Sequence, residues 1–131
     1  MIVCELDHLR NKRWYFDGEL HREDGPAIEI DDGSKFWWVN GHRHRDDGPA
    51  VEYIFGHVEW WLNGKRHRNG DPAIVYKEGD RWWYKNGKLH REDGPVIEWN
   101  DGEKAWWLND KEYSSDEFIL LQFSKGIIIN E

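Results

Sequence analysis

The stretch Phe36–Tyr53, FWWVNGHRHRDDGPAVEY, holds two turn signals between extended runs. Phe36 to Val39 is aromatic and β-branched, Asn40-Gly41 follows, and alternating residues come after it. Asn-Gly between such runs is the strongest short-range hairpin signal, because both residues accept positive φ. Asp47-Gly48 marks a second turn. Pro49 has no amide hydrogen and suits the first residue of a strand. AVEYIF (residues 50–55) reads as that strand, closed by a third turn at Gly56. Helical periodicity is absent, so the unit is a short β meander.

The same unit recurs. HRDDGPA at His44 is matched by HREDGPA at His21, HRNGDPA at His67 and HREDGPV at His90, at steps of 23 residues. Trp14, Trp37, Trp60, Trp83 and Trp106 fall in register, each followed by an aromatic residue: Tyr15, Trp38, Trp61, Tyr84 and Trp107. The turn pairs Asn40-Gly41, Asn63-Gly64 and Asn86-Gly87 share the register. A fixed period above 20 residues signals a repeat array. The expected fold is therefore all-β: one domain over 1–131, an elongated single-layer array of antiparallel β-hairpins. About four and a half repeats span 14–112, between an N-terminal cap (1–13) and a C-terminal cap (113–131).

Parity separates two faces. Val58, Trp60 and Leu62 share one, and Glu59 and Trp61 the other. In the neighbouring strand Val51 and Tyr53 share a face, while Glu52, matched by Glu29 and Glu98, points to a solvent side. Two strands per repeat, about 4.8 Å apart, give roughly 10 Å per repeat. The Trp14, Trp37, Trp60, Trp83 and Trp106 series is expected to be structural, with the Asn-Gly turns.

Open sheet edges invite aggregation, and the termini depart from the repeat. Ser114 with Glu117 three residues on is a capping-box pattern. Ser115 to Ser124 is expected to form a capping helix, with Phe118, Ile119 and Leu121 over the last unit and Gly126 ending it. GIIIN (126–130) offers a final strand. MIVCEL (1–6) reads as a strand over the first unit, with Cys4 buried in it.

Composition narrows the function. Twenty aromatic residues (10 Trp, 5 Tyr, 5 Phe) argue for a folded chain despite 34% charged residues. A net charge of −8 disfavours duplex nucleic acid as a partner. One cysteine excludes an internal disulfide and fits a reducing compartment. MIVCELDHLR lacks signal-peptide features, and FILLQF and GIIIN are too short to span a bilayer. A cytoplasmic location is expected, in a host cell if the protein is viral.

The NGKRH, NGKLH and DG elements and the 23-residue period resemble MORN repeats, over about 100 residues. In place of His-Gly-x-Gly stands His44-Arg45-Asp46-Asp47-Gly48-Pro49, and a Trp-Trp pair replaces Tyr-x-Gly. The chain thus looks like the divergent MORN-variant repeats of phage, giant-virus and some bacterial proteins, and of antitoxin or immunity proteins. That resemblance implies a scaffold or recognition role. Lipid binding does not carry over, because it calls for a basic surface.

Two candidate binding series follow. His21-Arg22, His44-Arg45, His67-Arg68 and His90-Arg91 either lock the turn after them or present imidazole and guanidinium groups to a partner. Trp38, Trp61, Tyr84 and Trp107 are either core or an open aromatic stripe. One His and one carboxylate per repeat are too few for a metal. No phosphate loop or nucleophile elbow is present, so neither an enzyme nor a cofactor is expected. The expected function is a non-enzymatic repeat scaffold binding another protein, one with a basic surface, as a phage or viral inhibitor of a host defence or host enzyme does. An antitoxin or immunity protein, a nucleotide- or small-molecule-sequestering module, and an oligomeric virion or assembly component are the alternatives.

Overall fold

The computed structural model describes residues 1–130. It is an all-β hairpin array of 18 strands with one C-terminal helix. The chain gathers into two compact units, Met1–Lys65 and the part from Arg66 onward.

In the first unit, β1 (Ile2–Leu6) pairs antiparallel with β2 (Lys12–Phe16), which continues through Ile28–Glu29, Lys35–Phe36, Val51–Glu52 and Val58–Glu59 as one sheet. The register sets Ile28 opposite Phe36, Phe36 opposite Val51, and Val51 opposite Glu59. In the second unit the same path runs Ile74–Val75, Arg81–Trp82, Ile97–Glu98, Lys104–Leu108 and Lys111–Tyr113.

A strand changes partner in mid-course. Lys35 and Phe36 belong to the sheet, whereas Trp38 and Val39 pair with Arg43 and His42 in a separate hairpin. Trp37 sits at the switch: its N–H donates to the Ala50 carbonyl at 2.8 Å, and its carbonyl accepts from His44 at 3.2 Å. Trp83 repeats this with Val96 and His90. The small residue after the proline is enclosed by this crossing, and Ala27, Ala50, Ala73 and Val96 are fully buried.

The hairpin tips follow from their residues. Asn40 and Gly41 have φ of 50° and 76°, and Asn63-Gly64 and Asn86-Gly87 behave alike. Two consecutive positive φ values are what a two-residue turn matched to strand twist requires. Asp17-Gly18 and Asn109-Asp110 adopt the same conformation. In the β1–β2 connection, the Asn11 N–H, then Arg13 and the Leu9 N–H, hold the Asp7 carboxyl down at about 2 from its ordinary 3.8.

The C-terminal cap is α1 (Ser115–Ser124). Ser114 Oγ accepts from the Glu117 N–H at 3.1 Å, and Gly126, at φ 76°, ends the helix. Two expectations at the ends are corrected. Residues 127–130 form no strand: Ile127 N–H bonds back to Gln122 and Asn130 N–H to Asp93, so the segment follows the helix end and a loop rather than a strand ladder. Cys4 is exposed, because β1 is an edge strand with all five residues open to solvent.

Candidate functional site

The heptapeptide loops build one cassette repeatedly. Arg45 stacks over the Trp37 ring, with Cζ 3.9 Å from its centroid. Its Nε donates to Asp47 at 3.1 Å, and its Nη1 donates to the Pro49 carbonyl at 3.1 Å and to Glu52 at 3.0 Å. Arg22 makes the same set with Trp14, Asp24, Pro26 and Glu29, and Arg91 with Trp83, Asp93, Pro95 and Glu98. The glutamates that alternation assigned to a solvent side are half-buried arginine ligands.

This packing explains Gly25, Gly48 and Gly94, whose φ values are not positive. A Cβ on Gly48 would lie 2.8 Å from Arg45 Cζ, so the glycine makes room for the guanidinium. In the third copy Arg68 still donates to Pro72 at 3.2 Å, with an Asp71 carboxylate oxygen 3.9 Å away. The sequence carries a signal for the cassette here. The only copy with Gly70 and Asp71 exchanged is also the only one with Val75 in place of the glutamate.

The histidines tie one hairpin to the next. His21 Nδ1 accepts from the Asn40 N–H at 2.9 Å, His44 from Asn63 at 3.0 Å, His67 from Asn86 at 3.0 Å and His90 from Asn109 at 3.1 Å. An acceptor Nδ1 fixes the proton on Nε2, which faces Glu23, Asp46, Asn69 and Glu92 in turn. A second series of ties, which pattern reading missed, lies at the third turns. Asn11 accepts from the Asp31 N–H, Ser34 from Ile54 and Asp80 from Asn100. Their side chains differ chemically, so only their shared place in the 23-residue register points to them.

The aromatic stripe is half-buried rather than bare. Arg43 lies over the Trp38 ring at 5.4 Å and over Trp61 at 5.2 Å, and Arg66 lies over Tyr84 at 5.6 Å. Trp107 packs on the core of Trp83, Val96 and Ile97. Trp14, Trp37, Trp60 and Trp106 are half-buried too, and Trp83 is buried.

The charge distribution at the loops is one-sided. Side chains of Arg22, Arg45, Arg91, His21, His44 and His90 are 9–23% exposed, against 47–87% for Glu23, Asp24, Asp46, Asp47, Glu92 and Asp93. Clefts flank the first loop. One of about 730 Å³ is lined by Trp14, Phe16, His21, Arg22, Glu23 and Asp24, and one of about 520 Å³ by Trp37, His44, Asp24, Asp46 and Asp47 with Arg22 and Arg45. Such clefts offer an aromatic wall to an alkyl stem and carboxylates to a cationic head. Among the described residues no group of three or more His, Cys, Asp or Glu is placed to hold a metal, and no helix is long and apolar enough to cross a membrane.

One third turn departs from the others. Asp31-Asp32, Lys77-Glu78 and Asn100-Asp101 correspond to Ile54-Phe55, which are 63% and 56% exposed. Phe55 stacks on Tyr53, with centroids 5.0 Å apart, and Tyr53 meets Phe36 edge-on. No protein-family model matches the chain, and no curated protein matches it.

Proposed function

We propose that the chain is a non-enzymatic repeat module that binds a protein with a basic surface through its heptapeptide loops. The observation that carries this reading is the segregation of charge: the loops at His21, His44 and His90 turn their arginines inward onto Trp and Glu and leave carboxylates outward. An acidic rim of this kind steers association with a basic partner and makes the rate salt-dependent. The wall residues Trp14, Phe16 and Trp37 supply apolar contact of the sort that anchors interfaces. The likeness to MORN-variant repeats supports the same role, in a phage or viral inhibitor of a host enzyme or in an antitoxin or immunity protein.

The test is capture from host lysate on immobilised chain at low ionic strength, followed by salt elution. A stoichiometric partner released by salt, and bound less by Glu23→Gln/Asp46→Asn, is expected. Those two changes remove charge and keep a hydrogen-bonding oxygen beside each histidine. Recovery of no stoichiometric partner, or equal capture by the double variant, counts against the reading.

A further inference from the structure

Strand β1 is an open sheet edge. It pairs with β2 on one side only, and all five of its residues are exposed, Ile2, Val3 and Leu6 at 47–65%. The direction of its backbone groups follows from β2. Cys4 lies opposite Trp14. The Trp14 N–H donates to the Ala27 carbonyl at 2.8 Å, and the Trp14 carbonyl accepts from the His21 N–H at 3.0 Å. Trp14 thus uses both groups on the far side of β2, and Cys4 and Trp14 share no hydrogen bond. The N–H and C=O of Cys4 therefore point out from the free edge, and by alternation so do those of Ile2 and Leu6. An unpaired edge is a template for another strand, and proteins ordinarily blunt it with Pro, Lys, a bulge, a short strand or a covering helix. The last strand, Lys111–Tyr113, is short, begins on a lysine and packs beside α1. β1 has no such guard: IVCEL contains neither Pro nor Lys, and its register with β2 is unbroken.

We propose that β1 pairs antiparallel with β1 of a second copy, about a two-fold axis at Cys4, so that a homodimer forms by continuation of the sheet. Antiparallel pairing sets outward-facing residues opposite outward-facing ones, so the axis must fall on a residue. With the axis at Cys4, the two Cys4 residues face each other, Ile2 faces Leu6 and Val3 faces Glu5 of the other copy, and the whole strand is paired. An axis at Glu5 would set the two glutamates directly opposite, which is unfavourable. An axis at Ile2, Val3 or Leu6 leaves part of β1 unpaired. The strand is therefore complementary to itself in one register: its free backbone groups satisfy one another, Ile2 and Leu6 shield each other from water, and no like charges meet. A two-fold contact closes on itself, so the pairing removes the open edge instead of propagating it. A strand of this length spans about 17 Å, and the contact falls well short of the roughly 1,600 Å² of a standard interface. Association is therefore weak and concentration-dependent.

Sedimentation equilibrium of the full chain under reducing conditions, from micromolar to submillimolar concentration, is expected to show the mass rising from one copy towards two. Cys4→Pro removes an N–H that β2 does not use, at a position where an edge strand accepts proline. It should keep the circular dichroism and weaken association about tenfold or more, as loss of the central hydrogen bonds does. Val3→Lys sets a lysine opposite Glu5 of the other copy and should tighten the dimer, whereas with the axis at Val3 it would loosen it. Cys4 is the only cysteine, so a short bismaleimide should join two chains at the concentrations where the dimer forms. A single-copy mass throughout, a dimer indifferent to Cys4→Pro, one not tightened by Val3→Lys, or one that the bismaleimide does not link would each overturn the proposal.

Discussion

Replacing Arg45 with Ala removes four contacts at once, and their sizes differ. The Asp47 partner is 87% exposed, and pairing at that exposure contributes close to nothing. Glu52 is only 35% exposed, and a charge-assisted bond there is worth about 1 kcal/mol after screening. The Pro49 carbonyl loses its guanidinium donor, at a cost of about 1 kcal/mol. Stacking on Trp37 at 3.9 Å adds about 1 kcal/mol for a partly desolvated cation. The total of about 3 kcal/mol corresponds to a fall in Tm on the order of 10 °C for a chain of this size. Urea unfolding followed by Trp fluorescence measures it. Arg45→Lys should recover little, because Lys has neither the planar fork nor the stacking face. A loss below about 1 kcal/mol for Arg45→Ala, or full rescue by Lys, would refute the cassette as a source of stability.

Gly48→Ala should cost about 1–2 kcal/mol, because its Cβ meets Arg45 Cζ at 2.8 Å. Combined with Arg45→Ala the two losses should fall short of their sum, which a double-mutant cycle reads directly. His44→Ala removes the acceptor for the Asn63 N–H and should cost about 1 kcal/mol, with faster hydrogen exchange at that amide than in the parent. Asp7 has its carboxyl depressed from 3.8 to about 2. Its stabilisation is therefore complete above pH 3.8 and lost as pH falls towards about 2. Asp7→Asn should flatten the acid limb of the stability curve in that window, measured as the difference from the parent chain.

The parts of the fold legible in the sequence are those whose cause is local. Asn40-Gly41 and its relatives report a φ requirement that two adjacent residues meet alone, and Ser114 with Glu117 reports a cap closed within one turn. The Trp register is legible because the period is fixed. The site was harder to see, because its contacts cross strands. Arg45 reaches back eight residues to Trp37 and forward seven to Glu52, and only the pairing of Lys35 with Glu52 brings the three together. Alternation placed Glu52 on the side away from Val51, as the register does, but it could not tell water from guanidinium as the glutamate's partner. The His44-Asn63 tie spans 19 residues and depends on the stacking of successive hairpins. Cys4 and GIIIN depart from the expectation for separate reasons: β1 pairs on one side only and leaves its residues open to solvent, and residues 127–130 give backbone bonds to Gln122 and Asp93 rather than to a strand.

The outward carboxylates cost the fold little, which is why they can serve a partner. Within a unit, the loops of successive repeats are spaced by two strands, about 10 Å. At that distance two unit charges in water repel by about 0.4 kcal/mol, and physiological salt, with a Debye length of about 8 Å, reduces this further. Their gain to the fold is as small. Glu23 and Asp46 face histidines whose structural bond is made by Nδ1, from the other edge of the ring, so the tie to Asn40 or Asn63 does not depend on the acid. The inward half of each cassette behaves differently, because Arg45 and Glu52 are both screened from water and removal of either leaves the other poorly paired. Stability and surface charge are thus carried by different residues of the same seven-residue loop. The acid at Glu23 or Asp46 can be varied to suit a partner while Arg, Trp and Glu hold the turn in place.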